Sequence, residues 1–369
     1  MNPGTLVKAP SGSAPATAAQ AVRLVPFVRA SYEHNEPMSL DISTLIGVNT
    51  VLLGPVDVPS FGYFESLLIL VEALTGGTGA AAVYREDAPW ASLQEVLLSD
   101  VNGAPIVQLS GYELYLAHKW GGYAGNPDPT VSPAYITPTT AGHFSFLLRV
   151  PVQISTRDGL GSLPNMNSSS TYRLRVTQAG QADIYSTVPT TMPTMRVRGW
   201  LEAWASPGAL SPGGAPQSIE PPAINTTQMW SRYTYNVSAG FNVVPFRRVG
   251  NAIRNIILVF RTTAPARSTT NFPDPGQLFI DSRLLYNEAR LVRQHYMRER
   301  SVGVAALDTG VFVYDYTHDM DNLLGGEMRD QWMLTASSTR LELQGTFGAA
   351  GSLTIITNDV QVVGNPYIG

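Results

Sequence analysis

The sequence predicts an all-β protein of two similar domains in tandem, and three observations carry that expectation. The first is a repeated order of events. "SFGYFESLLILVEA" (Ser60–Ala73) gives way to "LQEVLLSDVNGAPIVQLSGYELYLAHKW" (Leu93–Trp120), as "VGNAIRNIILVFRT" (Val249–Thr262) gives way to "PGQLFIDSRLLYNEARLVRQHY" (Pro275–Tyr296). The second is that each half closes in short runs alternating apolar and polar residues, the period of a strand with one buried face. The third is composition: charged residues are only 14%, against roughly 25% in an ordinary soluble domain, while Gly 33 and Pro 27 supply many turns. A length of 369 residues is enough for two domains of ordinary size.

Residues 1–22 read as an N-terminal arm, small, polar and Pro-rich, with Lys8 as their only charged side chain. The first domain is expected over 23–205. "MSLDISTL" (Met38–Leu45) alternates in part. "GYFESLLILVEAL" is too uninterrupted for a surface helix and reads as a strand buried on both sides; periodicity leaves a buried helix open as the alternative. "WASLQEVLL" (Trp90–Leu98) reads as a short helix, or as a helical turn feeding a strand. Ser110 followed by Glu113 is a capping box and starts a short helix in "LSGYELYLAHKW". After a loop rich in Gly, Pro and Thr come three strands: "HFSFLLRVPVQIS" (His143–Ser155), "TYRLRVTQ" (Thr171–Gln178) and "TMRVRGWLEAW" (Thr194–Trp204). Their alternating arginines, Arg173, Arg175, Arg196 and Arg198, put a charged face opposite an apolar one and are candidate interface residues.

"SPGALSPGGAPQSIEPPA" (Ser206–Ala223) contains the linker, 206–218, and the second domain is expected over 219–369. Here "DSRLLYNEARLVRQHYMRER" (Asp281–Arg300) reads as one helix. Leu285, Ala289, Val292 and Tyr296 form its apolar stripe, to be packed against a sheet or a neighbouring subunit. Laid over the first half, Leu109, Glu113 and Leu116 match Leu284, Glu288 and Leu291. The half closes with "GVFVYDYTH", "WMLTAS", "TRLELQGTF" and "GSLTIITNDVQVV". Each domain thus has about eight strand candidates and one helical excursion; eight strands in two Greek keys make a jelly roll. The predicted fold is two tandem eight-stranded jelly-roll β-barrels with short helical insertions.

Chemistry is sparse. The formal net charge is -4 with no long basic run, which argues against sequence-specific nucleic-acid binding. There is no Cys, so disulfides, thiolate metal sites and a Cys nucleophile are excluded. No apolar run approaches the ~20 residues that span a bilayer, and the start of the chain has no apolar core of a signal peptide. Phosphate-loop, dinucleotide, zinc-protease and nucleophile-elbow patterns are missing. None of His34, His118, His143, His295 and His318 is paired with another at ligand spacing. The densest acidic patch, Asp315, His318, Asp319 and Asp321, has oxygen ligands but lacks the late bidentate glutamate of a calcium loop, and reads as a solvated turn. Glu65 with Glu113 is the carboxylate pair that a glycosidase reading would use, with nothing in their spacing to bring them together. Trp200, Trp204, Trp230 and Trp332 lie among apolar residues and read as core or interface packing, and Trp90 and Trp120 as buried anchors. Catalytic, cofactor and metal sites are all expected to be absent.

The chain resembles the double jelly-roll major capsid proteins of tailless icosahedral viruses with an internal membrane, including the tectivirus-like phages. The resemblance rests on "ESLLILVEA" with "LSGYELYLAHKW", on "RNIILVFRT" with "FPDPGQLFIDSRLLYNEARLVRQHY", and on the closing "SLTIITNDVQVV". It implies a homotrimer whose six β-barrels form a pseudo-hexagonal capsomer tiling the icosahedral facets. It implies partners in neighbouring capsomers, in penton or vertex and minor capsid proteins, and in the internal membrane beneath the arm. It places the protein in the virion, assembled in the host cytoplasm. The competing readings are a minor spike, vertex or receptor-binding β-sandwich protein, and a carbohydrate-active β-sandwich enzyme.

Overall fold

The computed structural model describes residues 24–74, 82–121, 143–211, 213–220, 222, 227–263, 266–300, 307–317, 331–335, 338 and 340–361. The first half contributes eight principal strands. They are β1 (Glu33–Leu45), β2 (Val51–Asp57), β3 (Tyr63–Ala73), β4 (Leu93–Ser99), β5 (Pro105–Leu109), β6 (Phe144–Pro151), β7 (Arg173–Gln178) and β8 (Thr194–Trp204). Helix α1 (Gly111–Trp120) follows β5. The second half adds β9 (Gln228–Val237), β10 (Gly240–Pro245), β11 (Ala252–Thr262), β12 (Gly276–Ile280), β13 (Arg283–Glu288), β14 (Val311–Asp315), β15 (Leu341–Phe347) and β16 (Gly351–Val360), with α2 (Arg290–Arg300) after β13.

Hydrogen bonding orders the first half as β1-β8-β3-β6 and β2-β7-β4-β5, and the second as β9-β16-β11-β14 and β10-β15-β12-β13. Renumbered from its own first strand, each half has the same two sheets, 1-8-3-6 and 2-7-4-5. That is the strand order of a jelly roll, in which strands adjacent in sequence fall on opposite sheets except the fourth and fifth, which pair as a hairpin.

Alternation in the sequence explains most of these strands. In β8, Met195, Val197, Leu201 and Ala203 are buried while Arg196 and Arg198 point outward. In β11 the apolar run is nearly continuous and Ala252–Phe260 are buried on both faces, whereas β3 is so only over Phe64–Leu67 and then alternates buried and half-buried residues. Apolar burial supplies the driving force, roughly 1.5–3 kcal/mol for each fully buried Leu, Ile or Phe side chain. One core lies between the second half's sheets around Ile256, Leu258, Phe260, Leu343 and Ile355. The larger cluster runs through the first half and across into Trp230, Ile257, Val259 and Ile356.

Two local expectations change. Trp90–Ser92 forms one 3-10 turn that feeds β4, the second of the two readings of that segment. Asp281–Arg300 is not one helix. Asp281, at φ 50, turns a tight hairpin, and Arg283–Glu288 pair with β12 before α2 begins at Arg290. Pairing with a neighbouring strand overrides the helical period there. The predicted stripe is therefore out of phase: Leu285 sits in β13, Ala289, Val292 and Tyr296 are exposed, and Met297 is the buried residue of α2. The overlay of Leu109, Glu113 and Leu116 on Leu284, Glu288 and Leu291 fails for the same reason. The two helices do correspond by position, each following the fifth strand of its half. The 1–22 arm lies outside the described residues. Among the described residues no helix is long and apolar enough to cross a membrane.

Candidate functional site

Ion pairs, hydrogen bonds and apolar packing converge on the joint between the halves. Strands β5 and β9 meet side by side, with Val107 opposite Trp230 in a parallel bridge, so two four-stranded sheets become one continuous sheet. Helix α1 covers the outer face of the β9-β16-β11-β14 sheet. Its start is set by the predicted capping box: Ser110 N–H donates to Glu113 Oε2 at 2.7 Å, and Glu113 N–H to Ser110 Oγ at 3.3 Å. Gly111 lets the helix begin hard against the preceding turn, because a Cβ there would stand 2.2 Å from the Trp90 carbonyl oxygen. Glu113 then reaches Arg232 of β9 at 3.2 Å. At the other end of the helix, Lys119 meets Asp308 at 2.7 Å, and Asn255 Nδ2 donates to the Trp120 carbonyl at 2.9 Å. Tyr112 accepts from Arg267, whose guanidinium also lies 3.3 Å from Asp87.

A buried polar relay crosses the joint at a second point. Gln228 Nε2 donates to the Val152 and Gln153 carbonyls at 3.0 and 2.7 Å, while its Oε1 accepts from Arg254 and Asn358 at 2.7 and 3.0 Å. Arg254 is 1% exposed and lies over the Trp332 ring. Polar groups so deeply buried are tolerated only when hydrogen-bonded, and here the bonds tie one half to the other.

The predicted interface arginines all occupy outer sheet faces in cross-strand ion pairs: Arg173 with Asp57, Arg175 with Glu95, Arg196 with Asp41 and Arg198 with Glu72. The Arg196 partner holds the Asp41 carboxyl below its ordinary range, chiefly by hydrogen bonding. Glu65 and Glu113 are not a working pair, for each has its own surroundings. A bulge opposite Glu202 turns Glu65 toward Glu202 and Arg149, with Arg149 Nη1 2.7 Å from Glu202 and 3.9 Å from Glu65. Burial first, and then the Glu202 charge, push the Glu65 carboxyl up to about 7. No signal in the sequence marks that bulge.

Asp315 Oδ1 accepts from the Thr317 N–H and hydroxyl at 2.9 and 2.7 Å, closing a local turn, while His318, Asp319 and Asp321 lie outside the described residues. His34 stacks on Phe61, and His295 is exposed on α2. Among the described residues no group of three His, Asp or Glu side chains is placed to hold a metal ion. Trp90, Trp120, Trp204, Trp230 and Trp332 are buried, whereas Trp200 is half-exposed on the outer face of β8.

No family model matches this sequence, and no curated protein is similar to it. Solved structures are. The major capsid protein of Sulfolobus turreted icosahedral virus superposes with a TM-score of 0.62 at 13% identity, covering 91% of this chain and 98% of its own. The fold is that of double jelly-roll viral capsid proteins. VP54 of PBCV-1, as fitted into the virophage Sputnik, gives 0.62 at 9% identity over 94% of this chain and 96% of its own. Major capsid protein P2 of bacteriophage PM2 gives 0.53 at 10% identity over 89% and 97%. These relatives in fold come from a bacteriophage and from other viruses, so the likeness does not single out tectivirus-like phages.

Proposed function

We propose that the chain is a viral major capsid protein. One observation carries the reading. Two half-chains with identical sheet orders are fused side by side into one block, and capsid proteins of several viruses match it over 89–94% of the chain. In this reading 23–205 and 219–369 are the two jelly rolls, joined by 206–218. Three chains close into a ring of six rolls, a pseudo-hexagonal capsomer that tiles icosahedral facets around an internal membrane. Neighbouring capsomers, vertex proteins and minor capsid proteins are its partners. The 1–22 arm lies on the membrane side, and assembly takes place in the host cytoplasm.

The role is structural rather than enzymatic. The titratable groups of the joint are engaged in ion pairs and helix capping, which suits a rigid building block. Native mass spectrometry of the purified chain, with electron microscopy of particles, tests the reading. The expected result is a trimer, and one protein dominating the particle's mass. A stable monomer at micromolar concentration, or a few copies per particle, would overturn it.

A further inference from the structure

The two halves part at one end of the joint. β5 stops at Leu109, whereas β9 runs on from Ser231 to Val237 beyond its bridge to Val107. A cleft of about 730 Å³ opens there, inside the roughly 300–1,000 Å³ range of small-molecule sites. Gln94 and Glu113 line it from the first half, Thr234 and Thr354 from the second. A further wall is a short antiparallel ladder, Val83–Tyr84 with Tyr185–Thr187, pinned by Arg85 Nε donating to the Ala182 carbonyl at 2.5 Å.

The lining is polar yet balanced in charge. It holds three arginines and four carboxylates, and they pair: Glu113 with Arg232 at 3.2 Å, Asp87 with Arg261 at 2.6 Å. A lining of one sign would select a phosphate or a metal ion; a mixed one favours neither. A guanidinium has more N–H donors, and a carboxylate more acceptor positions, than one ion pair uses. The Thr234 and Thr354 hydroxyls share one hydrogen bond at 3.1 Å, and each hydroxyl can both donate and accept. Donors and acceptors are thus interspersed at close spacing. That is the complement of neighbouring sugar hydroxyls, each of which is donor and acceptor at once. The Tyr84 ring also lines the cleft, held by stacking on Tyr185 at 5.4 Å. An aromatic ring so fixed is a platform for the apolar C–H face of a sugar.

The cleft and the entry of the chain lie at opposite ends of the first half. Phe27 packs on Tyr63 and Trp204, the first residue of β3 and the last of β8. The ladder comes from the segments that follow β3 and precede β8. The 11 residues of β3 therefore separate the two, about 35 Å of strand. With the 1–22 arm on the membrane side of a capsid, the cleft faces outward.

We infer that this cleft binds a short uncharged oligosaccharide, whether a free sugar or the end of a glycan chain on a surface. The site stands on its own chemistry; its outward placement rests on the capsid reading. The test screens the purified chain on a printed array of neutral and acidic oligosaccharides. Calorimetric titration follows, with the best neutral oligosaccharide, its component monosaccharides, heparin fragments and inorganic phosphate. A neutral oligosaccharide is expected to bind and the two anionic probes are not. Monosaccharides that bind as tightly as the oligosaccharide identify a free-sugar site, and tighter binding of the oligosaccharide identifies a chain end. Ser186→Trp fills the cleft from an exposed position and should abolish binding. Gln94→Ala with Thr234→Val should weaken it about tenfold or more. Asn102→Trp, on the exposed β4–β5 turn outside the cleft, should leave it unchanged. Thermal melts check that every variant folds. Binding of anions alone, no binding on the array, or sugar binding that survives Ser186→Trp would overturn the site. Trimers that bind no sugar would leave the capsomer reading standing, and sugar-binding monomers would do the reverse. Sugar bound by the purified chain but not by assembled particles would overturn the outward placement.

Discussion

Trp230 of the second half stands opposite Val107 of the first, and this parallel bridge turns two sheets into one. Trp230 is 1% exposed and belongs to the same apolar cluster as the first half's core. The halves should therefore unfold together. Trp230→Ala is expected to cost about 3–5 kcal/mol and to split one thermal transition into two, read by calorimetry. An unchanged single transition at unchanged temperature would show that the joint is not what couples the halves.

Glu113 does two jobs, capping α1 and pairing with Arg232. Its side chain is 7% exposed. Glu113→Ala removes the acceptor of the Ser110 N–H, one of the two bonds of the capping box, and leaves Arg232 facing the joint without that carboxylate. Denaturant midpoints should place Glu113→Ala below Arg232→Ala, because the arginine is one-third exposed and can turn to water. Equal losses in the two variants would mean that the ion pair, not the cap, dominates.

The Glu65 carboxyl is held up to about 7 by burial and by Glu202. A carboxyl with its folded pKa above the unfolded value binds more protons in the folded state between the two. Its contribution to stability is present below the unfolded value, near 4.5, and is lost as pH rises to about 7. Full loss corresponds to roughly 3 kcal/mol as a ceiling. Glu65→Gln should thus flatten the fall in stability between about pH 5 and pH 8, and should be the more stable protein at pH 8 by about 1–3 kcal/mol. Parallel pH profiles for the two proteins would refute the assignment.

Legibility in the sequence follows from how many environments a segment serves. β8 faces one core along an alternating pattern, and its strand character is plain from the residues. β9, "QMWSRYTYNV", sends Trp230 into the joint and Tyr233 and Tyr235 toward the second core, so its apolar residues form no single readable face. The joint was only half visible. The Ser110–Glu113 capping box marks α1, but Arg232, Arg254 and Gln228 are distant in sequence and become partners only through topology. β13 misleads because its leucines and glutamate also satisfy a helical period, and only its pairing with β12 decides.

Phe27 fixes where the chain enters the fold. It is 2% exposed, lies edge-on to Tyr63 at 5.0 Å and to Trp204 at 6.3 Å, and Val25–Pro26 beside it pair in parallel with Ile219–Glu220. Everything before Leu24 can be removed without touching these contacts. In the capsid reading the arm orders only against the membrane or a neighbour, at an entropy cost of about 1–2 kcal/mol for each fixed residue, recovered in those contacts. Deleting 1–20 should therefore leave a folded trimer with the parent melting temperature and impair particle formation. Phe27→Ala should instead lower the melting temperature, for a loss of about 3–5 kcal/mol. Particle yield and size by electron microscopy, beside the two melts, separate the effects. Normal particles from the truncated chain would make the arm a dispensable tail, and a truncated chain that fails to fold would mean that the entry point lies before Phe27.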